Sequence, residues 1–321
     1  MLSIDFHAHI AGFSPFAQFE KGAGIFQDAA RMKLTQALVA QFLASYRQVQ
    51  QDLHEAEEII NPVLQERRKT KEIAFRQGKS LPRYNDAMEW LDQVAKGRCY
   101  DPAAMQLTFS FAAIHTTSDM LTQAIYDLCE RQAVVEELRK EVISVISSEG
   151  WRKAAMYKLQ LMDSFLKESQ RVKPISNVSM RRLVEKDLQL SDGTKIPKNT
   201  GLLVAADWNW DSDFYENPLV FGPYRFLKMR QTPGRETHAQ LVSPSPEHMG
   251  FGFGNHACPG RFFAANELKI FLCHMLLKYD FKLAEGSIPA PQKYGFAWNA
   301  NRLAKISIRR RREEIVLEDF S

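Results

Sequence analysis

Between residues 46 and 78 the apolar side chains Val49, Leu53, Ile60 and Val63 recur at helical spacing among many charged ones, which predicts a long amphipathic helix kinked at Pro62. The run QGKSLPRYND then carries glycine and proline and reads as a connection. A second long helix opens at Asp101-Pro102, where aspartate suits the N-cap and proline the first helical position, and continues through QLTFSFAAIHTTSDMLTQAIYDLCE. A charged amphipathic helix is expected from about 134 to 147, closed by the glycine of SSEG, and another from about 154 to 171, ending before Pro174.

Beyond Pro174 the chain changes character. DLQLSDGTKIPKNTGLLVA reads as a β-hairpin around Asp192-Gly193, a dipeptide that readily takes the positive φ of a tight turn. Residues 207 to 257 are irregular and rich in aromatics, Pro, Asn and Gly. A last strong helix starts after Gly260 and carries Leu268, Phe271, Leu272, Met275 and Leu276 on one face. With no internal repeat and no low-complexity linker, the pattern predicts a mainly α fold with a small β-sheet region, of the α+β class.

Composition adds boundaries. The 321 residues, 45% hydrophobic and 25% charged, are those of an ordinary globular protein with a substantial core. A net charge of +4 from 42 basic and 38 acidic residues demands no nucleic-acid partner, and the RRRR run at 309 to 312, after the alternating AKISI, reads as a solvated strand end. Four cysteines without paired spacing argue against a disulfide framework and fit a reducing compartment. The start, MLSIDFHAHIAGF, has neither the flank nor the apolar run of a signal peptide or anchor, and ALVAQFLASY is too short to span a bilayer.

Candidate chemistry centres on FGFGNHACPG. Gly252, Gly254 and Gly260 around Cys258 let the backbone approach something flat and bulky, while the following helix turns its N-terminal amides toward the sulfur, a setting that favours thiolate. Such a sulfur is a good axial ligand for haem iron. Taken alone, a glycine-flanked cysteine at a helix start is equally the pattern of a nucleophile or of a small buried residue. Cys99, Cys129 and Cys273 read as buried bystanders.

The spacing Phe251-x-x-Gly254-x-x-x-Cys258-x-Gly260 resembles the haem-binding signature of the cytochrome P450 family. Two further matches precede it in the family's order. In LQLMDSFLKESQRVKP, Glu168 and Arg171 share a helix surface and fall on the stripe of Leu161, Phe165 and Val172, so the carboxylate needs a buried partner; the pair resembles the family's ExxR motif, and FGPYRF supplies Arg225 as third member of a structural triad. In SFAAIHTTSD, Ala112 to Thr116 are similar to the family's oxygen-binding kink, with Ala113 for the usual glycine and His115 for the usual acid. The resemblance implies that Cys258 ligates the iron, that Phe251, Gly254, Gly260 and His256 cradle the haem, with His256 toward a propionate, and that Thr116 assists O2 activation. His115 is there either as a proton relay or as a structural histidine.

From this follows an expected haem-thiolate monooxygenase that oxidises a hydrophobic small molecule with O2 and electrons from NADPH through NADPH-cytochrome P450 reductase, steered by Lys228 and Arg230. SFAAIHTTSDMLTQ, LMDSFLKESQRVKP and HACPGRFFAANELK most resemble fungal members of secondary metabolism, including terpenoid tailoring. The resemblance runs from about residue 42 to 321 as the C-terminal part of one domain, leaving 1–41 as a segment of uncertain fold. The family's earlier helices, its WxxxR-type propionate ligand and the anchor that holds relatives on the endoplasmic reticulum are not visible, which makes an inactive truncated remnant the alternative. A remote third reading comes from IDFHAHI: His7 and His9, two apart on a strand, resemble the metal-binding opening of amidohydrolase barrels, although the helices that follow do not suit one.

Overall fold

A computed structural model describes residues 2–4 and 44–320. The His7 and His9 reading and most of the 1–41 segment lie outside the described residues. The chain divides into two compact units, Ala8–His115 and a larger one made of Met1–His7 with Thr116–Ser321.

Strand β1 (Leu2–Ile4) opens the larger unit. Helix α1 (Ala44–Arg76) continues through Pro62. The sequence pattern missed α2 (Ala87–Ala95), which is short but well capped: Asp86 accepts the Glu89 N–H at 3.0 Å, and the chain leaves through Lys96 and Gly97, both at positive φ. Arg67 of α1 grips the Asp86 carboxylate with two hydrogen bonds, at 2.9 and 2.6 Å, and holds it down to about pH 2. Helix α3 (Pro102–Cys129) starts where expected, with the Ala104 N–H on the Asp101 carboxylate at 3.0 Å, and runs from the smaller unit into the larger.

Helix α4 (Gln132–Glu149) ends at Gly150, φ 77°. The single helix expected over 154–171 is two, α5 (Lys153–Lys158) and α6 (Gln160–Val172), broken at Leu159. The reason lies outside the segment. The Glu141 carboxylate on α4 accepts the N–H groups of Leu161 and Met162 at 2.6 and 3.0 Å, satisfying a fresh helix start from the side.

Strand β2 (Val178–Leu183) also escaped the pattern, because a bulge with Met180 at φ 53° breaks its alternation. The Asp192-Gly193 turn joins only the short β3 (Leu188–Gln189) and β4 (Lys195–Ile196), while β5 (Gly201–Ala205) pairs antiparallel with β2. The irregular stretch contains one short α-helix, α7 (Arg225–Arg230), and two single turns of 3-10 helix at Asp207–Trp210 and Gly254–His256. Helix α8 (Arg261–Lys278) follows the cysteine loop, then β6 (Tyr279–Leu283), the hairpin β7 (Gln292–Tyr294) and β8 (Ala297–Asn299), and β9 (Ile306–Arg310). Strand β9 is central in an antiparallel sheet of order β1-β9-β6. The arginine run beyond it is ion-paired, Arg309 with Asp280 at 2.9 Å and Arg311 with Glu314 at 2.7 Å. The core of the larger unit joins the second half of α3 to α4, α5, α6, α8 and the β6–β9 sheet.

Candidate functional site

The cysteine loop rests on glycine at one close approach and two left-handed turns. A Cβ at Gly250 would lie 2.3 Å from the Gln170 side chain, so the chain rests directly on α6 at this point. Gly252 and Gly254 take φ of 72° and 68°, folding the loop back until the Cys258 N–H reaches the Phe251 carbonyl at 2.7 Å. Gly260 has an ordinary φ of −82°, so its role is a different one: a Cβ there would meet the Cys258 sulfur at 3.9 Å, and glycine keeps that flank bare. Phe251 is half-buried on the core, and residues 253 to 256, including His256, form an exposed rim.

The cysteines divide by environment. Burial pushes the thiols of Cys129 and Cys273 up to about 12, which keeps them protonated and inert. Cys258 is half-buried in its loop. Cys99, expected to be buried, is exposed, since it falls in the connection between α2 and α3 rather than on an apolar face. An accessible soft sulfur beside an open, side-chain-poor loop is the donor that an iron porphyrin takes.

Under the loop lies α6, in which every residue from Leu161 to Arg171 is buried. Glu168 and Arg171 pair through two hydrogen bonds, at 2.7 and 2.8 Å, with both side chains wholly out of solvent. Arg225, the first residue of α7, brings its Nε within 3.2 Å of both Glu168 oxygens, and the Gly222 N–H adds a donor at 2.8 Å. The two guanidiniums then reach outward: Arg171 donates to the carbonyls of Asn209 and Pro218, Arg225 to those of Glu216, Asn217 and Val220. A buried carboxylate so surrounded is fully satisfied, and the two arginines that satisfy it are themselves bonded to the backbone of the irregular segment.

The other expected residues are placed as follows. Ala112, Ala113 and Thr116 are exposed on α3, and His115 is half-buried with its ring 5.1 Å from that of Phe111. Past Thr116 the helix turns polar side chains inward: Asp119 meets the Ala300 N–H and Lys173, and Asp127 accepts from Ser169 at 2.6 Å, its pKa raised by burial to about 6. Lys228 is exposed, but Arg230 is not available for steering. It is buried, 3.8 Å from Asp163 and stacked over Tyr157, because it lies on the inner face of α7. A cleft of about 210 Å³ opens between Pro174–Ser179, Trp208 and the approach to the cysteine loop at Met249–Gly252. Among the described residues no cluster of His, Cys, Asp or Glu could hold a metal ion, and no helix is long and apolar enough to cross a membrane.

Sequence reasoning missed Gly250, Gln170 and Lys167. The doubled FGFG spacing hints at the first, but the contact that demands it comes from 80 residues earlier, where no local pattern reports it.

Comparison with known proteins gives a consistent result. Residues 19–304 match the family model described as Cytochrome P450. The chain is 54% identical over 285 residues to Cytochrome P450 monooxygenase adrA of Penicillium rubens, a stretch covering 88% of this chain and 56% of that protein. It is 53% identical over 267 residues to a cytochrome P450 monooxygenase of Gibberella fujikuroi, covering 83% and 60%, and 48% identical over 280 residues to Cytochrome P450 monooxygenase nodR of Hypoxylon pulicicidum, covering 87% and 55%. The chain thus spans little more than half the length of these curated relatives. Among solved structures, the retinoic acid bound cyanobacterial CYP120A1 superposes with a TM-score of 0.64 at 22% identity, over 83% of this chain and 57% of that one, a likeness of fold alone.

Proposed function

Since the chain belongs to the cytochrome P450 family, we propose that it is a haem-thiolate monooxygenase of fungal secondary metabolism, acting on a hydrophobic small molecule of the terpenoid kind. The observation that carries this reading is the cysteine loop: an accessible Cys258 thiol, held by backbone at positive φ, over a buried Glu168–Arg171–Arg225 triad. Haem bound there supplies activation of O2 with electrons that begin on NADPH and arrive through a reductase.

In this reading each residue has a task. Cys258 would supply the thiolate that holds the iron, and Phe251 would pack beside the sulfur. Gly254 and Gly260 would leave room for the flat ring, and the exposed His256 would answer a propionate. Gly254 suits the task in that a Cβ there would find nothing within 4 Å, so the loop is open on that side. Thr116, on the exposed face of α3, would hold a proton at its hydroxyl, and His115, the preceding residue, would be the titratable group of that stretch. The triad is positioning machinery: it fixes the segment from which α7 and the cysteine loop are launched.

The test is to express the chain with haem supplied, reduce it, add carbon monoxide and record the difference spectrum. The expected result is the family's thiolate Soret band, absent in Cys258→Ala. A wild-type chain that takes up no haem, or the same band in Cys258→Ala, contradicts the reading.

A further inference from the structure

Lys167 sits one position before Glu168, in the middle of α6, and is 1% exposed. Its ammonium makes no ion pair. Instead it donates to three backbone carbonyls, those of His238 at 3.1 Å, Gln240 at 2.7 Å and Ser243 at 2.8 Å, with the Phe226 ring 5.1 Å away. Burial pulls its pKa down to about 7, and the protonated amine is held there by placing all three donors on carbonyls. The same turn is read by a second α6 side chain, since the Leu241 N–H donates to Asp163 at 2.8 Å.

The connection continues to the Cys258 peptide. Between the held carbonyls of Gln240 and Ser243 lies Val242, whose own carbonyl accepts Arg261 Nε at 3.0 Å. Arg261 also donates through Nη1 to the Cys258 carbonyl at 2.9 Å. Five residues past Ser243, the buried His248 places Nε2 3.3 Å from the Lys167 carbonyl and so ties the entry to Met249 and Gly250 to the same residue.

We propose that Lys167 is the positioning residue of the cysteine loop, setting the Cys258 peptide through the 238–243 turn and Arg261. This rests on the haem-thiolate reading for its consequence, though not for its geometry. With the ammonium gone, the carbonyls lose their common partner, the turn opens, and Arg261 loses the fixed acceptor that orients it on Cys258.

The experiment compares the unaltered 321-residue chain with Lys167→Met, Lys167→Arg, Arg261→Gln and a core control, Leu138→Ala in α4. Hydrogen exchange is read on the haem-free chain and the reduced carbon monoxide spectrum on the haem-supplied one. In Lys167→Met, amides over 239–250 and at Cys258 exchange about tenfold faster, and the thiolate band falls by roughly half; Lys167→Arg, which keeps the donors, restores both. Leu138→Ala lowers the unfolding midpoint and moves neither reading, which separates positioning from stability. Arg261→Gln frees Cys258 while 239–243 stays protected, and it decides the question if Lys167→Met does not fold. Wild-type exchange at Cys258 in Lys167→Met or in Arg261→Gln overturns the proposal. Absence of the thiolate band in the wild type overturns the haem reading instead and leaves the exchange result to judge Lys167.

Discussion

Helix α6 and the inner face of α8 are both deeply buried, yet they are buried by opposite means. On α8 the inward residues are Ala265, Leu268, Leu272, Cys273, Met275, Leu276 and Leu277, with Lys269 as the charged exception, answered by Asp163 and the Met156 carbonyl. On α6, Asp163, Ser164, Lys167, Glu168, Ser169, Gln170 and Arg171 are all inside. The difference follows from what each helix packs against. Helix α8 meets other regular elements, whose backbone groups are already paired, and needs only apolar contact. Helix α6 meets the irregular segment 207–250, whose buried carbonyls and N–H groups have no ladder of their own and require partners. Ser164 shows the fit: its hydroxyl donates to the Pro223 carbonyl at 2.7 Å and accepts from the Leu227 N–H at 2.9 Å.

The largest effect expected from breaking this arrangement is at Glu168. Glu168→Ala leaves Arg171 buried without its counter-charge, with only the Asn209 and Pro218 carbonyls as acceptors, and should cost about 3–5 kcal/mol in urea unfolding, with loss of haem uptake. Leu272→Ala on α8 should cost about 2–4 kcal/mol as a cavity, while what remains folded keeps its cysteine loop intact in the carbon monoxide spectrum. A comparable loss of the spectrum in both would erase the contrast.

Next comes Gly250→Ala, whose methyl group is driven into Gln170; a cost of about 1–3 kcal/mol is expected, recovered in good part by adding Gln170→Ala, and additive costs in the double variant would show that the two do not meet.

The pH dependence sharpens the picture through two groups of opposite sign. Burial raises the folded Asp127 carboxyl from 3.8 to about 6, so its contribution is full below pH 4 and lost as pH rises through 6, by about 2–3 kcal/mol. Burial lowers His248 to about 3, so its contribution is full above pH 6.5 and is lost as pH falls toward 3. Denaturant midpoints against pH should therefore show Asp127→Asn removing a loss on the rising side and His248→Gln removing a loss on the falling side.

The smallest effect belongs to the outer ion pair. Arg67→Met should cost only about 1 kcal/mol, because Asp86 is partly exposed and keeps its capping bond to Glu89, in contrast to the buried pair on α6.

What the sequence made legible was what short spacing carries. Glu168 and Arg171 stand three apart on one stripe, and the glycines around Cys258 sit within ten residues, so a local reading reaches both. The break at Leu159 depends on Glu141, a residue on another helix, and no periodicity in 154–171 announces it. Lys167 and Arg230 look like solvated charges in the sequence because charge usually is solvated; their burial becomes visible only with the carbonyls and the Asp163 carboxylate that meet them. Strand β2 was hidden by its own bulge, and Cys99 was misjudged because composition says nothing of which connection a residue falls in.

The central claim is that the polar side chains of α6 hold the irregular segment in place for the cysteine loop. Native-state hydrogen exchange over 207–257 in Glu168→Gln and Leu272→Ala, at denaturant concentrations giving equal global stability, tests it most directly. The account predicts selective loss of protection in 207–257 for Glu168→Gln and a pattern like wild type in that segment for Leu272→Ala. Equal protection of the segment in the two variants would contradict it.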